Sequence, residues 1–425
     1  MIKPSSRIPR FFEKNIEERL QIIKNFSALR SEDLAVLKQA LVQGDAHLYA
    51  RMIENVISVM PVPLGIATNF RINNKDYLIP MATEEPSVVA GASYAAKLAR
   101  VSGGFTTTSS ASIMIGLIQL VGIRDIPDAI NTIEKHEAEL IEYAHAKDPV
   151  LILKGGGVKS FSYHVYNTDR GTMLVVYIHV DVQDAMGANI VNTFAEVIAS
   201  RIITLVHARS CLRIVSNLAM QRMSSAQAVW QKKDLGQDVI DGILDALALA
   251  RVDAYRCVTH NKGIMNGIDA VAVATGNDFR ALEAGAHGYA AQDGSYKPLS
   301  RYYQHENGDL VGELMLPLAV GIVGGVTKTN PIACLSLKIL GVKTACELAG
   351  IIVAVGLAQN FAALRALVTE GIQQGHMKLH SKNIAIQAGV SSLLVDDVAH
   401  AMILENNISV GRASELSLML NKGEK

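Results

Sequence analysis

The order of structural elements between residues 111 and 218 restricts the possible folds more than any other feature of the sequence. This segment has an apolar strand-like run, a helical stretch, two runs that alternate apolar and polar residues, a second helical stretch and a closing strand-like run: 113–123, 128–146, 160–166, 173–182, 189–207 and 212–215. Alternation with a period of two is typical of half-buried strands. The order β-α-β-β-α-β matches a split βαβ, ferredoxin-like unit. We therefore predict a small α/β domain inserted into a larger one.

The segments on either side of this insertion predict both strands and helices. Residues 66–82 have the pattern of two short strands with a turn between them, and Asn307–Gly308 predicts a second hairpin. A helix is expected from about Thr83, with Pro86 in its first turn, and another after Asn277, whose side chain can cap it. The flanking segments therefore form a mixed α/β domain.

The fold class that follows is α+β, with four sequence segments. We expect a large mixed α/β domain from residues 1–110 and 219–374, a small inserted domain at 111–218 and a C-terminal helical unit at 375–425.

The composition excludes several classes of protein. Lysine plus arginine and aspartate plus glutamate both number 40, so the chain lacks the basic excess of a nucleic-acid-binding protein. The longest apolar runs, Leu348–Ala358 and Leu314–Val326, are shorter than the ~18 residues that a membrane span needs. Gly350 and Gly356 are expected to interrupt the helical stretch between Thr344 and Thr369. Charged residues near the N-terminus replace the apolar stretch of a signal peptide, so we expect a cytoplasmic protein.

Familiar metal and nucleotide motifs are missing from the sequence. The four cysteines match no zinc or CxxC spacing, and there is no HExxH, so we expect no metal site. The segment GIVGGVTKT is not GxxxxGK[ST], and no GxGxxG follows a strand. The chain is therefore neither a Walker ATPase nor a Rossmann protein.

Eight segments rich in glycine, asparagine and acidic residues carry a more specific signal. They are TEEPSVVAGASYAAKLAR at 83–100, GGFTT at 103–107, DAMGAN at 184–189, THNKGIMNGID at 259–269, ATGND at 274–278, EAGAH at 283–287, GLAQN at 356–360 and GHM at 375–377. In this order they resemble the class II, bacterial-type 3-hydroxy-3-methylglutaryl-CoA (HMG-CoA) reductases over nearly the whole chain.

The resemblance implies an oxidoreductase of isoprenoid metabolism. Members interconvert HMG-CoA and mevalonate plus coenzyme A by two hydride transfers with a nicotinamide cofactor, through a hemithioacetal and mevaldehyde. It also implies that the inserted domain binds the nucleotide in a non-Rossmann manner and that the C-terminal helical unit is a flap. The partners implied are these substrates and a second copy in a homodimer with shared active sites, possibly within a larger oligomer, without nucleic acid or membrane.

Four residues match the family's catalytic positions. Lys262 would stabilise the oxyanion that forms when hydride attacks the carbonyl. Glu85 would protonate that oxygen, Asp278 would lie between the two, and His376 would protonate the departing CoA thiolate. From the residue types alone, a solvated lysine and a first-turn acid are the simpler interpretations. We expect the glycines and asparagines of 259–269 to let the backbone bring Lys262 to the thioester.

Further residues match substrate and cofactor positions. The substrate set is Ser87, Arg256, Asn266, Gln359 and Asn360, with His380 in a supporting role; Arg10 and Lys14 are candidates for the CoA phosphates. The cofactor set is Asp184, Met186, Gly187, Ala188 and Asn189, although DAMGAN alone could be an ordinary strand-to-helix turn.

The choice of nicotinamide depends on Asp148. A carboxylate accepts hydrogen bonds from ribose hydroxyls and repels a 2′-phosphate, so we expect NAD(H) to be favoured. Lys147 and Lys154 lie close in sequence and keep NADP(H) possible.

Two other functions compete with the reductase hypothesis. A CoA-thioester lyase or hydrolase would use the same acid, lysine and histidine without hydride transfer, but it would not need DAMGAN or the inserted domain. A non-catalytic CoA-binding or assembly protein would not need all four reactive positions.

Overall fold

The computed structural model of the 425-residue chain describes residues 8–27, 29–42, 46–369 and 372–423. The chain divides into two compact units, Met1–Pro63 and Leu64–Lys425. The strands are β1 Leu64–Ile72, β2 Lys75–Ala82, β3 Phe105–Ser109, β4 Ile113–Val121, β5 Gly157–Thr168, β6 Gly171–Asp181, β7 Arg209–Val215, β8 Met223–Trp230, β9 Ser300–Gln304 and β10 Leu310–Pro317.

The helices follow the same order along the chain. They are α1 Ile16–Ser27, α2 Ser31–Val42, α3 Ala46–Met52, α4 Val88–Arg100, α5 Ile126–Lys135, α6 Glu137–His145, α7 Pro149–Leu153, α8 Ala188–Leu205, α9 Lys232–Leu235, α10 Gln237–Val252, α11 Ala254–Ala274, α12 Phe279–Ala290, α13 Val326–Thr329, α14 Pro331–Leu340, α15 Ala345–Val368, α16 Ile372–Gln387, α17 Val395–Leu404 and α18 Val410–Gly423. The first unit contains α1 to α3.

The larger sheet of the second unit has six strands in the order β2-β1-β3-β8-β10-β9. Both predicted hairpins are confirmed: β1 pairs with β2 and β9 pairs with β10, each antiparallel. Helices α4, α11 and α15 pack over this sheet and against each other. Trp230 marks the centre of the core, since it is fully buried, stacks on Phe361 with ring centroids 3.9 Å apart and donates Nε1–H to the Ala95 carbonyl.

Helix α15 is the apolar centre of this core. It runs without interruption from Ala345 to Val368, so the prediction that two glycines break it was wrong. Gly350 and Gly356 instead let Thr107 and Ile268 approach, because a Cβ at either position would lie within 3 Å of those side chains. By length and mean hydropathy alone, α15 is long enough to span a membrane, although the apolar runs in the sequence were predicted to be too short for this. In the structure, 67% of its most apolar window is buried inside the protein, as in the core helix of a soluble protein.

The second sheet has four antiparallel strands in the order β5-β6-β4-β7. Strand β6 lies between β4 and β5, which makes the first β-α-β half a split unit and confirms the predicted ferredoxin-like arrangement. The predicted single helix at 128–146 is two helices, α5 and α6, which meet at His136. The α+β fold class is confirmed.

The C-terminal helices α16 to α18 have a small core of their own, which includes Ala385, Val398, Met402 and Ala413. Gly375 lies within α16, so the predicted start of the C-terminal helical unit at residue 375 falls inside a helix and not at a helix boundary. The proposed boundaries of the four sequence segments stay predictions.

Candidate active site

The stretch 259–269 is the middle of a helix and not a flexible loop. Helix α11 is continuous from Ala254 to Ala274, with Asp253 as its N-cap. The expectation that glycines give the backbone freedom here was wrong. A Cβ at Gly267 would lie 2.9 Å from Gln359 Cβ and 3.0 Å from the Val355 carbonyl oxygen, so this glycine allows α15 to pack closely. Because α11 packs closely against α15, the backbone position of Lys262 is fixed.

Lys262 contacts Glu85 across 177 residues of sequence. Its Nζ lies 3.2 Å from Glu85 Oε2, and Asn266 Nδ2, one helical turn further on, donates to the same oxygen at 3.5 Å. The side chains are accessible, with 59% of Lys262 and 35% of Glu85 exposed. An ammonium, a carboxyl group and an amide therefore meet at one solvent-accessible point.

The segment that carries Glu85 precedes its helix. Helix α4 begins at Val88, five residues later than predicted, so Glu84, Glu85 and Pro86 lie outside the first turn. Ser87 has φ 77°, a left-handed conformation that non-glycine residues rarely adopt. The Glu85 N–H donates to Thr83 Oγ1 at 3.2 Å. This turn directs the Glu85 carboxyl group towards α11.

Asp278 caps helix α12. Its Oδ1 accepts hydrogen bonds from the backbone N–H of Arg280 and Ala281, at 3.1 and 3.2 Å, and contacts Arg280 Nε. The predicted cap, Asn277, is one residue early; it is buried, and its Oδ1 accepts from the Gly321 N–H.

Asp278 lies far from Lys262 within one chain. Residues 275–277 form a tight turn, since Asn277 N–H bonds to the Ala272 carbonyl, and the Asp269 carboxyl group lies close enough to Glu283 on α12 for their charges to interact. Helix α12 therefore runs back along α11 and Asp278 stays at the turn. With 1.5 Å per residue, Lys262 is on the order of 15 Å from that end. The structure brings together Lys262 and Glu85 but not Asp278.

Gln359 and Asn360 lie side by side on α15 in different environments. Gln359 is 7% exposed, its Oε1 has no partner among the described residues, and it lies near Gly91 of α4 and Gly267 of α11. A buried acceptor of this kind generally accepts a hydrogen bond from a ligand or from water. Asn360 is buried and accepts from Ser300 Oγ at 2.8 Å and Tyr302 OH at 2.9 Å.

The residues around Asn360 form a buried network that sequence reasoning missed. His260 Nε2 lies 2.7 Å from Ser300 Oγ, and burial lowers the pKa of His260 to about 4, so the ring is neutral at physiological pH. The only signal in the sequence was a histidine inside the THNKG motif. The network supports α11 two residues before Lys262.

The remaining substrate candidates are dispersed. Arg256 is half-buried in the first turn of α11, where burial lowers its pKa from the usual value, and Ser87 is half-buried in the turn before α4. His380 is half-buried on α16. His376 belongs to the same helix, but its side chain lies outside the described residues. Arg10 forms an ion pair with Glu13, 3.1 Å long, in the first unit; Lys14, which follows that turn, forms none among the described residues.

The DAMGAN segment is a left-handed turn into helix α8. Gly187 has φ 101° and a Cβ there would lie 2.6 Å from Val182, so only glycine fits. Ala188 begins the 18-residue helix, and Asn189 is exposed in its first turn. The first N–H groups of a helix have no intrahelical partner and carry partial positive charge, which suits a phosphate.

Asp184 and Met186 hold the segment in place. Asp184 Oδ1 accepts from the Ala345 N–H at 2.8 Å, at the start of α15. The Met186 carbonyl accepts from Arg222 Nη1 at 3.0 Å. Sequence reasoning assigned both residues to the cofactor and missed Arg222; the structure gives both a supporting contact.

Asp148 caps the short helix α7, since its Oδ1 accepts from the Leu151 N–H at 3.0 Å. Lys147 Nζ lies 5.5 Å from the Tyr143 ring centroid. No group of three or more histidine, cysteine, aspartate or glutamate side chains suited to a metal occurs in the described part of the chain.

The chain is similar in sequence to known reductases. The family model described as hydroxymethylglutaryl-coenzyme A reductase matches residues 15–381. The 3-hydroxy-3-methylglutaryl-coenzyme A reductase of Archaeoglobus fulgidus is 53% identical over 414 residues, 97% of this chain and 94% of that protein. The probable reductase of Borreliella burgdorferi is 37% identical over 88% of this chain and 85% of its own.

A solved structure agrees with both sequence comparisons. The class II reductase from Streptococcus pneumoniae, bound to NADPH in open conformations, has a TM-score of 0.74 and 39% identity, and the match covers 96% of this chain and 100% of that one. The family match and these relatives together define a nicotinamide-dependent oxidoreductase. The chain belongs to the HMG-CoA reductase family.

Proposed function

We propose that this protein interconverts HMG-CoA and mevalonate plus coenzyme A through two hydride transfers. The observation that carries the proposal is the meeting of Lys262, Glu85 and Asn266 at one accessible point. The Gln359 Oε1 in the adjacent core, unpaired among the described residues, supports a polar ligand there.

The first transfer reduces the thioester. Hydride adds to the thioester carbonyl carbon and negative charge develops on its oxygen, where the Lys262 ammonium stabilises it. The resulting hemithioacetal breaks its C–S bond, CoA departs as a thiolate, and His376 gives that sulfur a proton. Mevaldehyde remains bound.

The second transfer reduces the aldehyde. Hydride adds to the aldehyde carbon, and its oxygen takes a proton from Glu85, so the product is the mevalonate alcohol. Asn266 holds the Glu85 carboxyl group at hydrogen-bond distance throughout. The anionic end of HMG is assigned to Arg256, with Ser87, Gln359 and Asn360 on the substrate side and His380 near CoA.

The nicotinamide cofactor supplies or accepts the hydride when bound. Its phosphates fit the N-terminus of α8, where Gly187 lets the backbone approach and the N–H groups of Ala188 and Asn189 begin the helix. Asp184 and Met186 keep this turn in position through the contacts described above.

We propose that NAD(H) is preferred over NADP(H). One oxygen of Asp148 accepts from the Leu151 N–H, and the other can accept from a ribose hydroxyl. A fixed carboxylate would repel a 2′-phosphate. Because the Streptococcus pneumoniae relative was solved with NADPH, the preference of this chain needs its own measurement.

We also propose a homodimer with shared active sites. Since Asp278 cannot reach Lys262 of its own chain, its role requires the site of a second copy. An exposed apolar stripe on α14, formed by Ile332, Leu335 and Ile339, lies next to the turn that carries Asp278, because Gly276 packs against Ala333. Such a stripe suits a subunit interface.

The other features of the proposal are a cytoplasmic location, a C-terminal helical flap at 375–425 that closes over the site, and a large domain from 1–110 and 219–374 with the nucleotide domain at 111–218. Larger oligomers are compatible with it.

One assay tests the function. Purified protein with HMG-CoA should oxidise two molecules of reduced nicotinamide for each mevalonate formed. No oxidation with either NADH or NADPH would refute the proposal. A CoA-thioester lyase or hydrolase, the competing hypothesis, would release CoA without using nicotinamide, and the family match and the NADPH-bound relative do not favour it.

A further inference from the structure

The loop that follows β10, residues 318–322, connects two parts of the proposed site. The Arg222 guanidinium is 5% exposed and donates from its two terminal nitrogens to the Met186 and Val320 carbonyls. Met186 belongs to the turn that begins α8, and Val320 belongs to the loop. One buried side chain therefore ties the nicotinamide turn to the loop.

The same loop is tied to the Asp278 turn by a second buried side chain. The Gly321 N–H donates to Asn277 Oδ1 at 2.7 Å, and Asn277 Nδ2 donates to Thr275 Oγ1 at 3.0 Å. Asn277 is 9% exposed and directly precedes Asp278. At Gly321 the loop lies directly against the turn that begins α8, since a Cβ there would overlap the Met186 backbone nitrogen.

Two further hydrogen bonds hold the nicotinamide turn in place. The Ile322 N–H donates to the Asp184 carbonyl, and Asp184 Oδ1 accepts from the Ala345 N–H. Burial lowers the pKa of Arg222 to about 10, while the negative charges of Asp181 and Asp184 act in the opposite direction. Burying a cation costs free energy unless hydrogen bonds and opposite charges compensate for the lost hydration. The contacts of Arg222 therefore fix the position of its guanidinium.

We propose that Arg222 and Asn277 are positioning residues that hold the nicotinamide turn and the Asp278 turn in one rigid frame. Arg222 sets the height of the turn on which the cofactor phosphates bind. Asn277 sets the position of the aspartate. The inference rests on the proposed function, because it assigns these residues to the same site.

Separate kinetic effects are expected from the two ends of the frame. Arg222→Met releases the Met186 carbonyl, so the KM for reduced nicotinamide should rise about tenfold or more while the KM for HMG-CoA changes little. Arg222→Lys should give an intermediate KM, because an ammonium cannot hold two carbonyls with the geometry of a planar guanidinium. Asn277→Ala should lower kcat about tenfold at nearly unchanged KM for nicotinamide, since it moves Asp278 and not the cofactor.

Two variants keep the test independent of folding. Gly321→Ala disturbs the frame without removing a buried charge, and it should raise the KM for nicotinamide in the same direction as Arg222→Met. Arg213→Met is the matched control, because Arg213 is an exposed arginine on β7 with no ion pair among the described residues, and its kinetics should equal those of the wild type. Circular dichroism establishes that each variant is folded.

The outcome separates this inference from the proposed function. If the wild type turns over and both Arg222→Lys and Gly321→Ala leave the two KM values unchanged, or raise both equally, the positioning role is refuted. If the wild type does not oxidise nicotinamide at all, the function is refuted. In that case calorimetry with NADH alone still decides whether Gly321→Ala weakens cofactor binding.

Discussion

A mixture of two inactive variants tests whether Asp278 acts in the site of a second copy. Lys262→Ala removes the oxyanion cation and Asp278→Ala removes the aspartate, and each homodimer should lose about two to three orders of magnitude in kcat. In a hybrid dimer, one site combines the intact Lys262 of the Asp278→Ala chain with the intact Asp278 of the Lys262→Ala chain. The other site lacks both.

The size of the recovery follows from the pairing. Random association makes about half of the dimers hybrid, and one of the two sites in each hybrid works, so co-expressed chains should regain about one quarter of the wild-type kcat. The hybrid purified through two different affinity tags should show about one half of the wild-type kcat, because one of its two sites works; mevalonate-dependent or HMG-CoA-dependent nicotinamide turnover is measured per dimer.

A second pair provides the control. Lys262 and Glu85 touch within one chain, so the hybrid of Lys262→Ala with Glu85→Ala has one damaged residue in each site and should stay inactive. Recovery in this control pair, or no recovery in the first pair, would refute the assignment of Lys262 and Glu85 to one chain and Asp278 to the other.

Three further predictions concern single residues. Lys262→Met should reduce kcat by about two orders of magnitude or more with an unchanged melting temperature, as measured by steady-state kinetics and calorimetry; retained activity would remove the oxyanion role. Asp148→Ser should raise kcat/KM for NADPH relative to NADH by tenfold or more, and an unchanged ratio would place the ribose elsewhere. Burial and Glu283 raise the pKa of Asp269 to about 8. A raised folded pKa gives stability that is present below the unfolded value near 4 and is lost as pH rises towards 8. Asp269→Asn should therefore melt at a higher temperature than the wild type at pH 8 but not at pH 4.5, and parallel melting curves would contradict this.

The strand pattern was predictable because it depends on local periodicity. The alternating runs at 160–166 and 173–182 became β5 and β6, and their order along the chain left few sheet topologies. Helix limits were harder. The sequence predicts a helix from about Thr83, but Ser87 adopts a left-handed backbone and α4 begins only at Val88. Residue propensities do not predict a left-handed turn at a non-glycine residue.

The glycines of 259–269 show why local composition misled the prediction of the site. Glycine lowers helix propensity by about 1 kcal/mol, so two glycines in a short stretch favour a loop. Tertiary packing outweighs that cost here, because Gly267 lets α15 approach the backbone. The contact between Lys262 and Glu85, and the separation of Asp278 from both, depend on how α4, α11 and α12 pack, which a single sequence does not encode locally.

Stability does not account for the arrangement around Glu85. An ion pair as exposed as Lys262–Glu85 contributes only about 0–1 kcal/mol. The left-handed backbone of Ser87, two residues away, costs on the order of 1–3 kcal/mol. The backbone strain of this turn therefore costs at least as much free energy as the ion pair contributes to stability. A carboxyl group held beside an ammonium at net cost to the fold is what the proposed chemistry on a bound carbonyl requires. The buried Gln359 Oε1, unpaired among the described residues, supports the same proposal.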